Sequence, residues 1–124
     1  MIPFHFTAAA AAAALPAQTE AQLRFVTLLQ RGTLSVELYA PQGEDRQTPH
    51  DQDELYVVIA GHGEFLNGEE RHPFQAGDLL FVPAGVEHRF LSFSDDFQTW
   101  VIFYGPRGGE LPASCQPSYA PDYE

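Results

Sequence analysis

One stretch constrains this chain more than any other: Gly77-Asp78-Leu79-Leu80-Phe81-Val82-Pro83-Ala84-Gly85-Val86-Glu87-His88. A glycine, an apolar run, a Pro-x-Gly corner and a second run carrying a histidine follow one another at short spacing. Gly77 permits a positive-φ turn ahead of the first run. Pro83 lacks a backbone N–H and Gly85 tolerates left-handed backbone, so together they end pairing on one strand and restart it on the next. The corner therefore separates a strand over Asp78–Val82 from another over Val86–Phe93, and carries His88 inward on the second.

Short apolar runs broken by turn residues continue along most of the chain. Arg24–Leu29 and Thr33–Ala40 read as strands joined by a hairpin turn at Arg31-Gly32. In the second run Leu34, Val36 and Leu38 alternate with Ser35, Glu37 and Tyr39, giving one apolar face and one polar or aromatic face. Pro41–Pro49 is a polar loop without periodicity. Glu54–Ala60 is nearly continuous in apolar residues and predicts a strand buried on both faces. Gly61-His62-Gly63 bends into a short strand over Glu64–Leu66, and Asn67-Gly68 is the strongest hairpin signal. Arg71–Phe74 and Gln98–Tyr104 complete the strands. About eight short strands with even turn punctuation predict a jelly-roll barrel or sandwich. The 124 residues suit one domain. We expect a helical or extended segment over 1–22, the barrel over 23–106 and a Pro/Gly-rich tail over 107–124.

Ala8–Ala14, with Thr7 as a candidate N-cap, predicts a short helix. Met1–Thr7 has no Lys or Arg, which argues against a secretory signal, and no run approaches the ~20 apolar residues of a membrane span. The single cysteine, Cys115, excludes an intramolecular disulfide and agrees with a reducing cytoplasm. A formal charge of −11 repels phosphate backbones and anionic lipid, so nucleic acid and membrane surfaces are poor partners.

The Gly77–His88 stretch resembles the second motif of the cupin superfamily, with Ser92 standing where that pattern ends in asparagine. Thr48–Gly61 resembles the first motif, two histidines separated by one residue and followed by a glutamate, an apolar strand and a glycine. Registering on Glu54 and Gly61 places the second histidine at His50 and the first at Thr48. The two motifs span Thr48–Ser92. This resemblance implies an all-β, double-stranded β-helix (jelly-roll) barrel with a short N-terminal helix, and metal ligands at His50, Glu54 and His88. Two imidazoles and a carboxylate with open positions suit non-haem Fe(II), while Mn, Ni, Co or Zn are also accommodated. Thr48 is a weak ligand or holds a water, and Gln52 shares parity with His50 and Glu54.

Around these residues, Tyr56, Phe90, Trp100, Ile102 and Tyr104 alternate as cavity lining does, with ordinary core packing as the competing role. Glu37 and Tyr39 either border the site, supporting it or acting as an acid/base pair, or face outward. Arg89 has the opposite parity to His88 and should point away. His62 and His72 read as surface-turn residues, and His5 as part of a mobile terminus. The expected function is a metal-dependent cupin, a dioxygenase or isomerase acting on a small organic molecule. The alternative is a non-catalytic small-molecule binding or sensing cupin with a degraded metal site. Small cupins are commonly dimers, and the apolar flanking strands allow a homodimer.

Overall fold

Strands this short bury a face only by pairing, and the computed structural model, which describes residues 4–111, pairs them into two antiparallel sheets. The strands are β1 (Phe25–Arg31), β2 (Leu34–Tyr39), β3 (Asp53–Ala60), β4 (His62–Asn67), β5 (Glu70–Gln75), β6 (Leu79–Val82), β7 (His88–Phe93) and β8 (Gln98–Tyr104). One sheet has the order β1-β2-β8-β3-β6 and the other β5-β4-β7. This is the jelly-roll architecture that the turn spacing predicts. Cys115 and most of the expected tail lie outside the described residues.

Residues on the facing sides of the two sheets form the core, which is dominated by rings. Phe90 packs tilted or edge-on against Phe97, Phe65, Tyr56 and Phe74 at centroid distances of 4.6, 4.7, 5.0 and 5.2 Å. Such geometries set a ring edge against a neighbouring face and add to the area buried. Tyr56 and Phe90 are thus packed into this core.

The one helix among the described residues, α1 (Ala8–Ala13), starts where Thr7 predicts, with the Thr7 hydroxyl accepting from the Ala10 N–H at 3.1 Å. It buries Ala11 and lies near β2 on the outer face of the larger sheet. Among the described residues no second sheet lies over that face. Consequently β3 alternates: Tyr56 and Val58 are buried, whereas Leu55, Val57 and Ile59 are half-buried, so the strand is not enclosed on both faces.

Local turn chemistry also departs from expectation. The two hairpin turns sit one residue later, at Gly32-Thr33 and Gly68-Glu69. Only the glycine of each pair takes positive φ, 58° and 64°. That is the demand of a turn whose first central residue alone is left-handed, and it frees Asn67 to stay on β4. The Asn67 amide there donates to the Phe81 carbonyl at 2.8 Å. β4 begins at His62 rather than at Glu64, and His72 lies on β5, so neither histidine is in a turn. Gly63 permits this extension, since a Cβ there would run into the Ser92 backbone of β7.

Candidate metal centre

The Pro83-Ala84-Gly85 corner couples the two motif segments through its backbone. Gly85, at φ 79°, donates its N–H to the His50 carbonyl at 2.6 Å. The Ala84 N–H is accepted by the buried Asp53 carboxylate at 3.0 Å, whose second oxygen accepts from the Glu110 N–H at 2.9 Å. His50 is held in this way from a loop, not on a strand. Residues 51–52 bend, and the Gly108 N–H caps the Asp51 carbonyl at 2.7 Å. Period-two parity therefore does not explain why His50 and Glu54 converge; the bend and the corner do.

His50, Glu54 and His88 each offer a ligand atom, and these atoms lie within 4.8 Å of one another. Glu54 and His88 are 1% and 2% exposed, so their polar atoms have no access to solvent. The His88 Nδ1 donates to the Val86 carbonyl at 2.9 Å, which turns Nε2 toward Glu54. His88 Nε2 and Glu54 Oε1 are 3.2 Å apart, and with the proton of the neutral imidazole on Nδ1 both atoms are acceptors. Nε2 and both Glu54 oxygens consequently lack hydrogen-bond partners. Buried polar atoms left in this state cost about 1–3 kcal/mol each. A cation at their focus would satisfy all three, and two imidazoles with a carboxylate are a donor set that divalent transition metals accept. The residues fit a metal ion.

The two histidines are perturbed in opposite directions. Burial lowers His50 below its ordinary value. For His88 burial also acts downward, but the adjacent Glu54 carboxylate outweighs it and holds the imidazole above the ordinary value of 6.5. In the metal-free protein, stabilisation by the His88–Glu54 pair is therefore complete below the unfolded pKa and lost as pH rises through the raised folded one. A metal competes with that proton. We expect Mn(II) affinity to rise about tenfold per pH unit across this range, with proton release on binding. Titration calorimetry at pH 6 and 8, in buffers of different ionisation heat, measures both quantities; affinity independent of pH would contradict the expectation.

A cavity of about 280 Å³ opens beside the cluster. His50 and Glu54 form one side; Phe25, Val101 and Phe103 are among the apolar residues of the rest, and the His50 ring meets Phe103 edge-on at 4.7 Å. Glu37 and Tyr39 both line it, so the polar face of β2 points inward. Burial, and then the Glu54 charge, raise Glu37 from 4.5 to about 7.

Other candidate residues lie elsewhere. Thr48 is exposed, and the Gln52 amide is engaged by the carbonyls of Thr33 and Gly105 at 2.9 and 3.0 Å. On β8 the inward residues are Thr99, Val101 and Phe103. Trp100 and Ile102 pair with Val57 and Leu55 on the outer face, and Tyr104 shares their parity. The antiparallel register through Glu54↔Phe103 and Tyr56↔Val101 decides this, and reading β8 alone cannot. Arg89 is exposed, as its parity predicts.

Two residues that sequence reasoning passes over support the cavity, Gln47 on its wall and Asp45 behind it. Asp45, in the supposedly featureless polar loop, is 1% exposed. Its carboxylate accepts from the Tyr39 hydroxyl at 2.6 Å, the Gln47 N–H at 3.1 Å and side-chain amide at 2.8 Å, and the Phe90 N–H at 2.9 Å. Gln47 in turn accepts from the Tyr56 hydroxyl at 2.9 Å. Burial and the Asp45 charge hold the Tyr39 phenol well above its ordinary value. A lone acidic residue in a loop gives no pattern from which such burial can be read.

The model of the cupin domain family matches residues 35–103. An uncharacterized protein of Streptomyces coelicolor is 37% identical over 84 residues, covering 66% of this chain and 80% of the relative. Among solved structures, a Klebsiella pneumoniae protein with a double-stranded β-helix domain superposes with a TM-score of 0.65 at 17% identity, covering 82% of this chain and 90% of that one. A cupin 2 conserved barrel domain protein of Salinispora arenicola gives 0.57 at 22% identity, with coverages of 85% and 90%. At these identities the structural likenesses speak to the fold alone.

Proposed function

The chain belongs to the cupin family, and from that membership we propose that it is a divalent-metal-binding cupin acting on a small organic molecule, with oxygenase- or isomerase-like chemistry. One observation carries the reading: three buried donor atoms converge without hydrogen-bond partners. A bound Fe, Mn, Ni, Co or Zn ion would supply Lewis acidity or, where redox-active, electrons for dioxygen chemistry. The chain's own residues do the rest. Val86 fixes the tautomer and direction of His88, Glu54 supplies the negative charge, and His50 stands on the cavity side of the cluster. Phe25, Val101 and Phe103 exclude water from the molecule held beside them.

Metal analysis of protein purified without added metal tests this, and near one equivalent is expected. The second reading, a metal-free binding or sensing cupin, draws on the exposed Thr48, which leaves three donors where the family pattern has four. A metal-free preparation whose Tm is unchanged by Fe, Mn, Ni, Co or Zn would favour that reading and reject the first.

The outer face of the larger sheet supports self-association. Val36, Leu55, Val57, Trp100, Phe81 and the 64%-exposed Leu79 lie on it, in a chain of formal charge −11. It is thus where two equally acidic copies approach with least repulsion, and a second copy of the same face is the occupant we propose. Light scattering should give a dimer mass for the native chain and a monomer for Trp100→Glu; a native monomer at 100 μM or so would exclude this interface.

A further inference from the structure

Glu37 is an ionisable side chain on the cavity wall with no hydrogen bond or ion pair among the described residues. The other polar groups there are committed. Tyr39 gives its hydroxyl to Asp45, and Gln47 bridges Asp45 and Tyr56. His50 and Glu54 belong to the cluster already described. No Lys or Arg lines the cavity. With the cluster free of metal, the cavity thus presents carboxyl groups and no cation to an entering anion. The 280 Å³ has room for about nine waters at ~30 Å³ each, or an organic molecule of roughly ten non-hydrogen atoms. Its remaining wall is hydrocarbon or aromatic.

We propose that Glu37 determines specificity: the cavity takes an uncharged small molecule with an apolar body and a hydroxyl directed to the Glu37 carboxyl, and rejects carboxylates and phosphate esters of the same shape. This rests on the reading of the cavity as a small-molecule site but does not need the metal to be catalytic. A hydroxyl bound there has Glu37 as a hydrogen-bond partner, and its apolar body fits against Phe25 and Phe103. An anion of the same shape meets two carboxyl groups with no compensating donor.

The test uses the full chain, once with Zn(II) added and once after chelation, and titrates phenol, toluene, benzoate and phenyl phosphate by protein-observed NMR. Phenol should bind at least tenfold tighter than benzoate or phenyl phosphate, and Glu37→Leu should weaken phenol at least fivefold while leaving toluene within twofold. Glu37→Gln, which removes the charge and keeps the shape, should bring benzoate to within threefold of phenol. Tm and metal content of each variant show that folding and the cluster are intact. Benzoate binding as tightly as phenol, no probe binding, or a selectivity indifferent to both substitutions would overturn the proposal. A chain that is metal-free as purified, whose Tm no added metal shifts, and that still prefers phenol would reject the metal reading and leave this one standing.

Discussion

Replacing His88 by alanine should strip the protein of its metal and also weaken the metal-free fold by about 3–5 kcal/mol. The first effect follows from removing one of three donors; metal content should fall from near one equivalent to under about a tenth, since even residues merely supporting a ligand change affinity 10–100-fold. The second follows from burial. Glu54 is 1% exposed, and its ion-pair partner when protonated is the His88 imidazole at 3.2 Å. Alanine would leave that carboxyl facing a void with neither ion nor imidazole. Metal analysis and urea unfolding of chelated protein separate the two effects. Wild-type metal content in His88→Ala would reject the cluster as the binding site, and unchanged stability would show that Glu54 does not depend on this partner.

Asp45→Ala should be the most damaging change outside the cluster, costing about 4 kcal/mol and lowering Tm by roughly 15 °C. Four donors would lose their acceptor together: the Tyr39 hydroxyl, the Phe90 N–H and both groups of Gln47. They come from β2, β7 and the loop, so a single carboxylate ties the loop to both sheets. Asp45→Asn keeps the shape but turns an amide NH₂ toward donors, and should recover less than half of the loss. Thermal unfolding measures the stability, and hydrogen exchange at the Phe90 amide reports the local opening. A loss below about 1 kcal/mol would show that water replaces the carboxylate at no great cost.

What could be read from the sequence, and what could not, divides along physical lines. All sixteen ends of the eight strands fall within two residues of expectation, and backbone chemistry marks three of them, at Gly77, Pro83 and Gly85. The convergence of His50, Glu54 and His88 was legible only through motif resemblance. Strand parity does not bring them together, since His50 precedes the strand and is set by a hydrogen bond from Gly85. On β2 the alternation separated two faces without saying which pointed inward, and on β8 the inward face was misread. There every residue from Trp100 to Tyr104 is apolar or aromatic, and composition does not distinguish one face from the other.

The Gly77–His88 stretch by itself determined a strand, a corner and a second strand, expected from Val86 and formed from His88. Missing N–H groups and left-handed glycines act within a few residues and need no partner. What lies opposite that corner was a tertiary decision. The Gly85 N–H meets the His50 carbonyl across 35 positions of sequence, and the Asp45 carboxylate meets the Phe90 N–H across 45. Such contacts depend on how two sheets stack and where a loop folds under, which no local pattern of residues encodes.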